Sequence, residues 1–339
     1  MTRICIYGAG LIGCYLGGRL LAAGVDVRFV GRPAMGEVLR REGLSTRHYD
    51  GRSWHVPSEA IAFGTDATMA ADADLVLVTV KSGGTAAAAR DLAEVLRPAA
   101  AVVSFQNGLG NGALLREALG DRTVLDGMVP FNVVAKGPAD FLQASEGHLY
   151  VQAGAAADPQ LAMFDRAGLS LERPVDMRAV QWAKLLLNLN NAINALANQP
   201  LKQELSQRGY RRCLAAAQRE ALSLLDKAGM EPARLTPLPA RWIPALLELP
   251  DVAFALLARR MLAIDPSARS SMSEDLATGR PTEIDWINGE VVRLAGQLGR
   301  TAPVNARLCE LVRAAETKHP RPSWNADALL KELQGAAGK

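Results

Sequence analysis

Short apolar runs rich in β-branched residues alternate with helical periodicity through the first half of the chain, and near Met177 the short runs stop. The runs at residues 4–7, 25–30, 74–80, 101–105, 123–129 and 148–152 read as strands. The run DLVLVTV at 74–80 is almost continuous, as a strand buried on both faces should be. Residues 45–49 and 53–56 read as a short antiparallel excursion around Asp50 and Gly51, and residues 85–96 as an alanine-rich helix. Past Met177 the pattern predicts helices over 179–197, 207–229, 252–263, 271–278, 283–298, 305–318 and 325–333, separated by Pro- and Gly-rich segments such as 231–244. This order predicts a doubly wound α/β sheet in residues 1–175 and an all-helical domain in 176–339, with the boundary near 172–178. The cleft between two such domains is the default active site.

The first strand breaks into GAGLIG at residues 8–13, and a helical pattern follows at once. Gly8 permits a tight turn, Gly10 lets the backbone approach a pyrophosphate, and Gly13 lets the helix pack closely on the strand. The helix N-terminus then offers free N–H groups and a positive dipole end. Gly8, Ala9, Gly10, Leu11, Ile12 and Gly13 are therefore the candidate cofactor contacts of a Rossmann-type domain. A site for NAD places Asp or Glu at the end of the second strand to hold the ribose 2′-OH. This chain has Gly31-Arg32-Pro33 there instead. A guanidinium suits a 2′-phosphate, so Arg32 points to NADP, the alternative being a solvated loop arginine.

Composition narrows the picture further. A chain of 339 residues with a net charge of +3 has room for two cores and too little charge to imply a nucleic-acid or membrane partner. No apolar run is long enough to cross a bilayer, and no charged-then-apolar leader precedes the first strand, so a cytoplasmic location is expected. Cys5, Cys14, Cys213 and Cys309 are scattered and read as reduced thiols. The histidines show no metal-ligand spacing, so no metal is expected.

Ligands of open α/β sheets bind outside the carboxyl ends of the strands. Lys81 and Asn107 stand at two such ends, and both are expected near the nicotinamide; a solvated lysine and a plain Asn-Gly turn are the alternatives. The expected helix 179–197 carries Trp182, Lys184, Asn188, Asn191 and Asn194 among leucines. Lys184, Asn188 and Asn191 share one face at i, i+4 and i+7, which points to a polar cleft, the alternative being a solvated face. Near the C-terminus, Thr282 can cap a helix whose first turn holds Glu283 and Asp285, so Glu283 is either a dipole partner or a working carboxylate. Ser271 and Asp275 lie one turn apart on the preceding helix.

Taken together, GAGLIG, VTVK ending at Lys81, QNG at 106–108, WAKLLLN at 182–188, SSM at 270–272 and TEIDWING at 282–289 resemble the ketopantoate reductase (2-dehydropantoate 2-reductase) family of the 6-phosphogluconate-dehydrogenase-like superfamily. The resemblance spans essentially the whole chain. It implies NADPH-dependent reduction of a 2-oxo acid, 2-dehydropantoate to pantoate, and it assigns roles. Lys184 resembles the general acid, and Glu283 the group that holds the substrate hydroxyl and the lysine. Asn107 resembles the residue that positions nicotinamide and substrate, and Lys81 a lysine near the cofactor and the substrate anion. Asn188 and Ser271 resemble substrate-binding residues, and Arg32 the 2′-phosphate ligand. The chain departs from the pattern where a second asparagine is expected, at Ala192, with Asn191 one position earlier as the candidate substitute. A further substrate asparagine aligns with Lys202, or with Leu201 if one residue is missing. These departures leave open another branched 2-oxo acid as substrate. A nucleotide-sensing regulator without turnover is the reading from another class, and a homodimer stays open.

Overall fold

A computed structural model describes residues 2–154, 157–258, 265–318 and 320–338. The chain divides into two units, Met1–Met177 and Arg178–Lys339.

In the first unit the elements run β1 (Arg3–Tyr7), α1 (Leu11–Ala22), β2 (Asp26–Val30), α2 (Pro33–Glu42), β3 (Leu44–Arg47), β4 (Ser53–Val56), β5 (Ala62–Gly64), β6 (Leu75–Val78), α3 (Thr85–Val95), β7 (Ala101–Ser104), α4 (Asn111–Leu119), β8 (Val124–Met128), β9 (Val133–Gly137), β10 (Asp140–Gln143), β11 (Leu149–Val151), α5 (Asp158–Arg166) and β12 (Leu171–Glu172). Among the described residues the main sheet has eight strands in the order β12-β11-β8-β7-β6-β1-β2-β5. Its centre is parallel, but β11 runs antiparallel to β8, so the sheet is mixed at one edge. The central strands are buried on both faces, which is why they read as unbroken apolar runs. One face packs Val76, Val78 and Val102 against Ala88 and Leu92 of α3 and Leu115 and Leu119 of α4.

The predicted excursion is antiparallel, as β3 and β4, but it does not stand alone. The hairpin β9–β10 joins it, β10 pairing parallel to β3, to make a second sheet β4-β3-β10-β9. Helix α1 packs against both sheets. A Cβ on Gly17 would lie 2.3 Å from the Phe29 ring, and one on Gly18 would lie 2.7 Å from the Thr46 methyl. Glycine in mid-helix costs about 1 kcal/mol relative to alanine, and here it allows two close approaches.

The second unit is helical: α6 (Met177–Asn188), α7 (Asn190–Ala197), α8 (Leu201–Leu205), α9 (Arg208–Lys227), α10 (Ile243–Leu247), α11 (Asp251–Leu257), α12 (Ser271–Ala277), α13 (Asn288–Gln297), α14 (Pro303–Glu316) and α15 (Ala326–Ala337). Three expectations change. The single helix 179–197 is two helices broken at Leu189. The helix expected at 283–298 begins at Asn288, because Ile284–Trp286 form a 3-10 turn first. Of the helix expected at 252–263, α11 is described to Leu257, and residues 259–263 lie outside the described residues. Helix α9 is the hub, burying Cys213, Leu214, Ala217, Ala221, Leu224 and Leu225 and packing on α10, α14 and α15.

Candidate active site

The glycine turn is shaped by contacts on three sides. Gly8 sits at φ +121°, in the left-handed region, and its N–H and that of Ala9 both donate to the Val30 carbonyl, at 2.9 and 3.0 Å. The Thr79 hydroxyl donates to the Gly8 carbonyl at 2.7 Å. A Cβ on Gly8 would fall 2.6 Å from the Val80 nitrogen, and one on Gly13 only 2.1 Å from the Gly8 oxygen. Gly10 differs: nothing lies within 4 Å of where its Cβ would be. No side chain caps α1 and no acid stands in its first turn. Ala9 is buried, Leu11 exposed and Ile12 half-buried. An open approach at Gly10 beside an uncapped helix N-terminus fits a dinucleotide pyrophosphate.

Arg32 stands at the end of β2, exposed. It is the extended N-cap residue just before α2, which has Pro33 in its first turn and no acid there. Lys81 is exposed and precedes a 3-10 turn over Ser82–Gly84, while Asn107 is half-buried beyond β7. Strands β1, β6 and β7 are neighbours, so the glycine turn, Lys81 and Asn107 gather at one end of the sheet. A buried polar network fixes that end. Ser82 Oγ and Asn111 Nδ2 both donate to the Asn107 carbonyl, each at 2.8 Å. Gln106 Nε2 donates to the Val80 carbonyl at 3.0 Å and to Thr85 Oγ1 at 2.7 Å, and Ser104 Oγ donates to Gln106 Oε1 at 2.9 Å. Ser82, Thr85, Gln106 and Asn111 are all buried, so each depends on these bonds. The only sequence signal for them is a run of small polar residues just past two apolar strands.

In the helical unit Lys184 and Asn188 lie on α6 and Asn191 on α7, all three half-buried. Asn194 does not share their surroundings. It is fully buried and bonded to Glu204, to the Gln199 carbonyl and to the Ser270 N–H. Ala192 is fully buried, and Lys202 is exposed on α8. Ser271 opens α12 and is exposed. Ser270 caps that helix and donates from Oγ to the Asn191 carbonyl at 3.2 Å, which brings Asn191 and Ser271 together. Asp275, on the same helix, is buried.

Glu283 is only 9% exposed and precedes the 3-10 turn, so it is not the dipole partner of an α-helix. Thr282 accepts from the Ile284 N–H at 3.3 Å, and its own N–H donates to Glu316 Oε1 at 2.8 Å. Asn288 is buried and donates to Asn305 Oδ1 at 3.0 Å, a structural bond. Burial pushes the Lys184 pKa down to about 8. A lysine in that range exchanges its proton near neutral pH. All four cysteines are buried and free, and desolvation pushes each thiol up to about 12. Among the described residues no group of three His, Cys, Asp or Glu side chains is placed to hold a metal, and no helix is long and apolar enough to cross a membrane; His319 lies outside them.

A glycine turn at the head of a largely parallel sheet, joined in one chain to a helical unit, is the build of a dinucleotide-dependent oxidoreductase. The family model for ketopantoate reductase PanE/ApbA matches residues 4–156, and that for the ketopantoate reductase PanE/ApbA C terminal matches residues 176–316. The chain belongs to this family of oxidoreductases acting on CH–OH groups. It is 29% identical over 323 residues to the 2-dehydropantoate 2-reductase of Archaeoglobus fulgidus, covering 94% of this chain and 99% of that protein. It is 30% identical over 321 residues to the one from Halobacterium salinarum, covering 93% and 99%. The solved PanE/ApbA family ketopantoate reductase from Ralstonia eutropha superposes with a TM-score of 0.77 at 29% identity, over 98% of this chain and all of that one. A D-mandelate dehydrogenase solved with NADH and anilino(oxo)acetate shares the fold, with a TM-score of 0.76 at 20% identity over 93% and 98%.

Proposed function

We propose that the protein reduces a 2-oxo acid with NADPH, and that the acid is 2-dehydropantoate, giving pantoate. The observation that carries this reading is Lys184: a half-buried ammonium with a pKa of about 8, inside WAKLLLN, in a chain of the ketopantoate reductase family. When bound, the reduced nicotinamide supplies the hydride that reaches C2 of the substrate. The chain's own residues do the rest. The turn Gly8–Gly13 and the N-terminus of α1 take the pyrophosphate, and the Arg32 guanidinium takes the 2′-phosphate. Lys81 and Asn107 orient the nicotinamide end and the substrate carboxylate. As charge grows on the keto oxygen, the Lys184 ammonium stabilises it and hands over a proton, leaving a neutral amine that solvent reprotonates. Glu283 accepts a hydrogen bond from the substrate hydroxyl and holds the lysine in line. Asn188, Asn191 and Ser271 bind the remaining oxygens.

Buried Ala192, where the resemblance expects an asparagine, and exposed Lys202 or half-buried Leu201, with which a further substrate asparagine aligns, favour a second reading: the same reaction on another branched 2-oxo acid. Steady-state NADPH oxidation with 2-dehydropantoate beside a panel of branched 2-oxo acids tests the choice. Under the first reading 2-dehydropantoate has the highest kcat/KM. A tenfold preference for another acid would replace the substrate and keep the reaction. Absence of turnover with every acid would leave the sensor.

A further inference from the structure

Glu204 plays no part in the chemistry above, yet it is a fully buried carboxyl on the five-residue helix α8. Its Oε2 accepts from Asn190 Nδ2 at 3.1 Å and from Asn194 Nδ2 at 3.0 Å. These two asparagines stand one turn apart on α7, so one acceptor serves both. Asn194 passes the constraint on. Its Nδ2 also donates to the Gln199 carbonyl at 3.0 Å, and its Oδ1 accepts from the Ser270 N–H at 2.9 Å. The backbone N–H of Ser270 can only donate and the carbonyl of Gln199 can only accept, so the amide has one orientation that satisfies all its partners. Ser270 then closes the chain by donating from Oγ to the Asn191 carbonyl at 3.2 Å and accepting from the Ser273 N–H at 3.1 Å.

Burying a carboxyl is unfavourable unless its partners compensate, and here they compensate only in part. Glu204 Oε1 and Asn190 Oδ1 are buried without a hydrogen-bond partner among the described residues. Burial pushes the Glu204 pKa up to about 8, so at neutral pH the group is a neutral acid. An apolar residue at 204 would fill the same space without that burden. What the carboxyl adds is one acceptor shared by Asn190 and Asn194, which ties α8 to α7 beside the amide that holds the Ser270 N–H at the start of α12. The other ties between these elements do not pass through Glu204: the Leu201 N–H donates to the Ala268 carbonyl at 2.8 Å, and Arg321 donates to the Ser273 carbonyl at 3.0 Å and to the Ala195 carbonyl.

We infer that Glu204 is a positioning residue for substrate binding: acting through Asn194 and Ser270, it holds the first residue of α12, Ser271, beside Asn191. The inference rests on the proposed roles of Ser271 and Asn191. Two variants of the full-length enzyme separate positioning from bulk stability. Glu204→Gln keeps a neutral acceptor of the same shape. Its KM for the preferred 2-oxo acid should stay within about twofold of wild type. Glu204→Leu keeps the volume and removes the acceptor. Its KM for that acid should rise about tenfold or more, the fold-change expected for a lost buried hydrogen bond. Its Kd for NADPH should not change, and its kcat should fall less than its KM rises. Hydrogen exchange gives a readout that needs no substrate: amides of residues 271–274 should exchange faster in Glu204→Leu than in Glu204→Gln, while those of β6 and β7 stay as in wild type. Should Glu204→Leu not fold, Ser270→Ala breaks the far end of the same chain and should reproduce the KM effect and the local exchange. Wild-type KM and wild-type exchange at 271–274 in Glu204→Leu would overturn the inference. So would an equal loss of NADPH and substrate affinity, or a Glu204→Gln enzyme as impaired as Glu204→Leu. If wild-type enzyme turns over no 2-oxo acid, the proposed function fails, and the exchange data still decide whether Glu204 holds α12.

Discussion

Replacing Lys184 with alanine removes the group that this account makes the proton donor. A pKa of about 8 leaves the side chain about nine-tenths protonated at pH 7 and about one-tenth protonated at pH 9. Reduction needs the acid form, so the sign is fixed: kcat/KM for the 2-oxo acid is highest below about pH 8 and falls about tenfold per unit above it. An ordinary lysine, near 10.5, would leave that range flat. The Lys184→Ala enzyme should lose roughly 10²–10⁴ in kcat, the usual worth of a positioned acid, and lose the alkaline limb with it. Its NADPH affinity should hold, because the glycine turn and Arg32 are proposed to bind the phosphates. Lys184→Arg should keep the positive charge and still fail, since a guanidinium does not give up its proton near neutrality. Glu283→Ala should damage both kcat and KM, and the double variant should be little worse than Lys184→Ala, because the two groups would work as one unit. The assay is the loss of reduced-nicotinamide absorbance across pH 6–10 with saturating NADPH. Near-normal turnover by Lys184→Ala at neutral pH, with any acid the wild type accepts, refutes the assignment.

Two further outcomes test the cofactor site. Arg32→Ala should weaken NADPH by about 1.5–3 kcal/mol, the worth of a hydrogen bond to a charged group, and leave NADH nearly unchanged; a wild-type preference for NADH in parallel titrations would contradict the reading of Arg32. Gly10→Ala and Gly13→Ala should part company. The Gly10 position is open, so that variant should melt near wild type and lose dinucleotide affinity, whereas a Cβ on Gly13 would sit 2.1 Å from the Gly8 oxygen, so that variant should lose stability as well. Paired melting and NADPH titration check this, and equal melting losses would contradict it.

The parts of the fold that were legible in the sequence are those with one dominant physical cause. Strands β1, β6 and β7 are buried on both faces and therefore read as apolar runs. The glycine turn reads because each glycine answers a different steric demand. The hairpin β9–β10 does not read, because VVAKG and DFLQ are short and its pairing to β3 is set by the tertiary fold. Helix α2 is hidden by Pro33 and Gly36, although proline in a first turn is a helix start. The break at Leu189 leaves no local mark, and the start of α13 is delayed by a 3-10 turn over Ile284–Trp286, whose first N–H donates to Thr282 Oγ1. Within the site, the spacing of Lys184, Asn188 and Asn191 was visible, but pattern alone could not separate them from Asn190 and Asn194. That distinction depends on Glu204, an acid ten residues beyond Asn194 that the fold turns back onto α7.

The central claim is that this chain moves a hydride onto a 2-oxo acid, and isotope transfer reads that event directly. Purified enzyme is given NADPH carrying two deuterons at C4 together with 2-dehydropantoate, and the product is weighed by mass spectrometry. Pantoate should emerge heavier by one deuteron, placed on the carbinol carbon, formed in step with NADPH loss and abolished in Lys184→Ala. Recovery of unlabelled pantoate, or of intact NADPH bound to an enzyme that leaves every branched 2-oxo acid untouched, would contradict it.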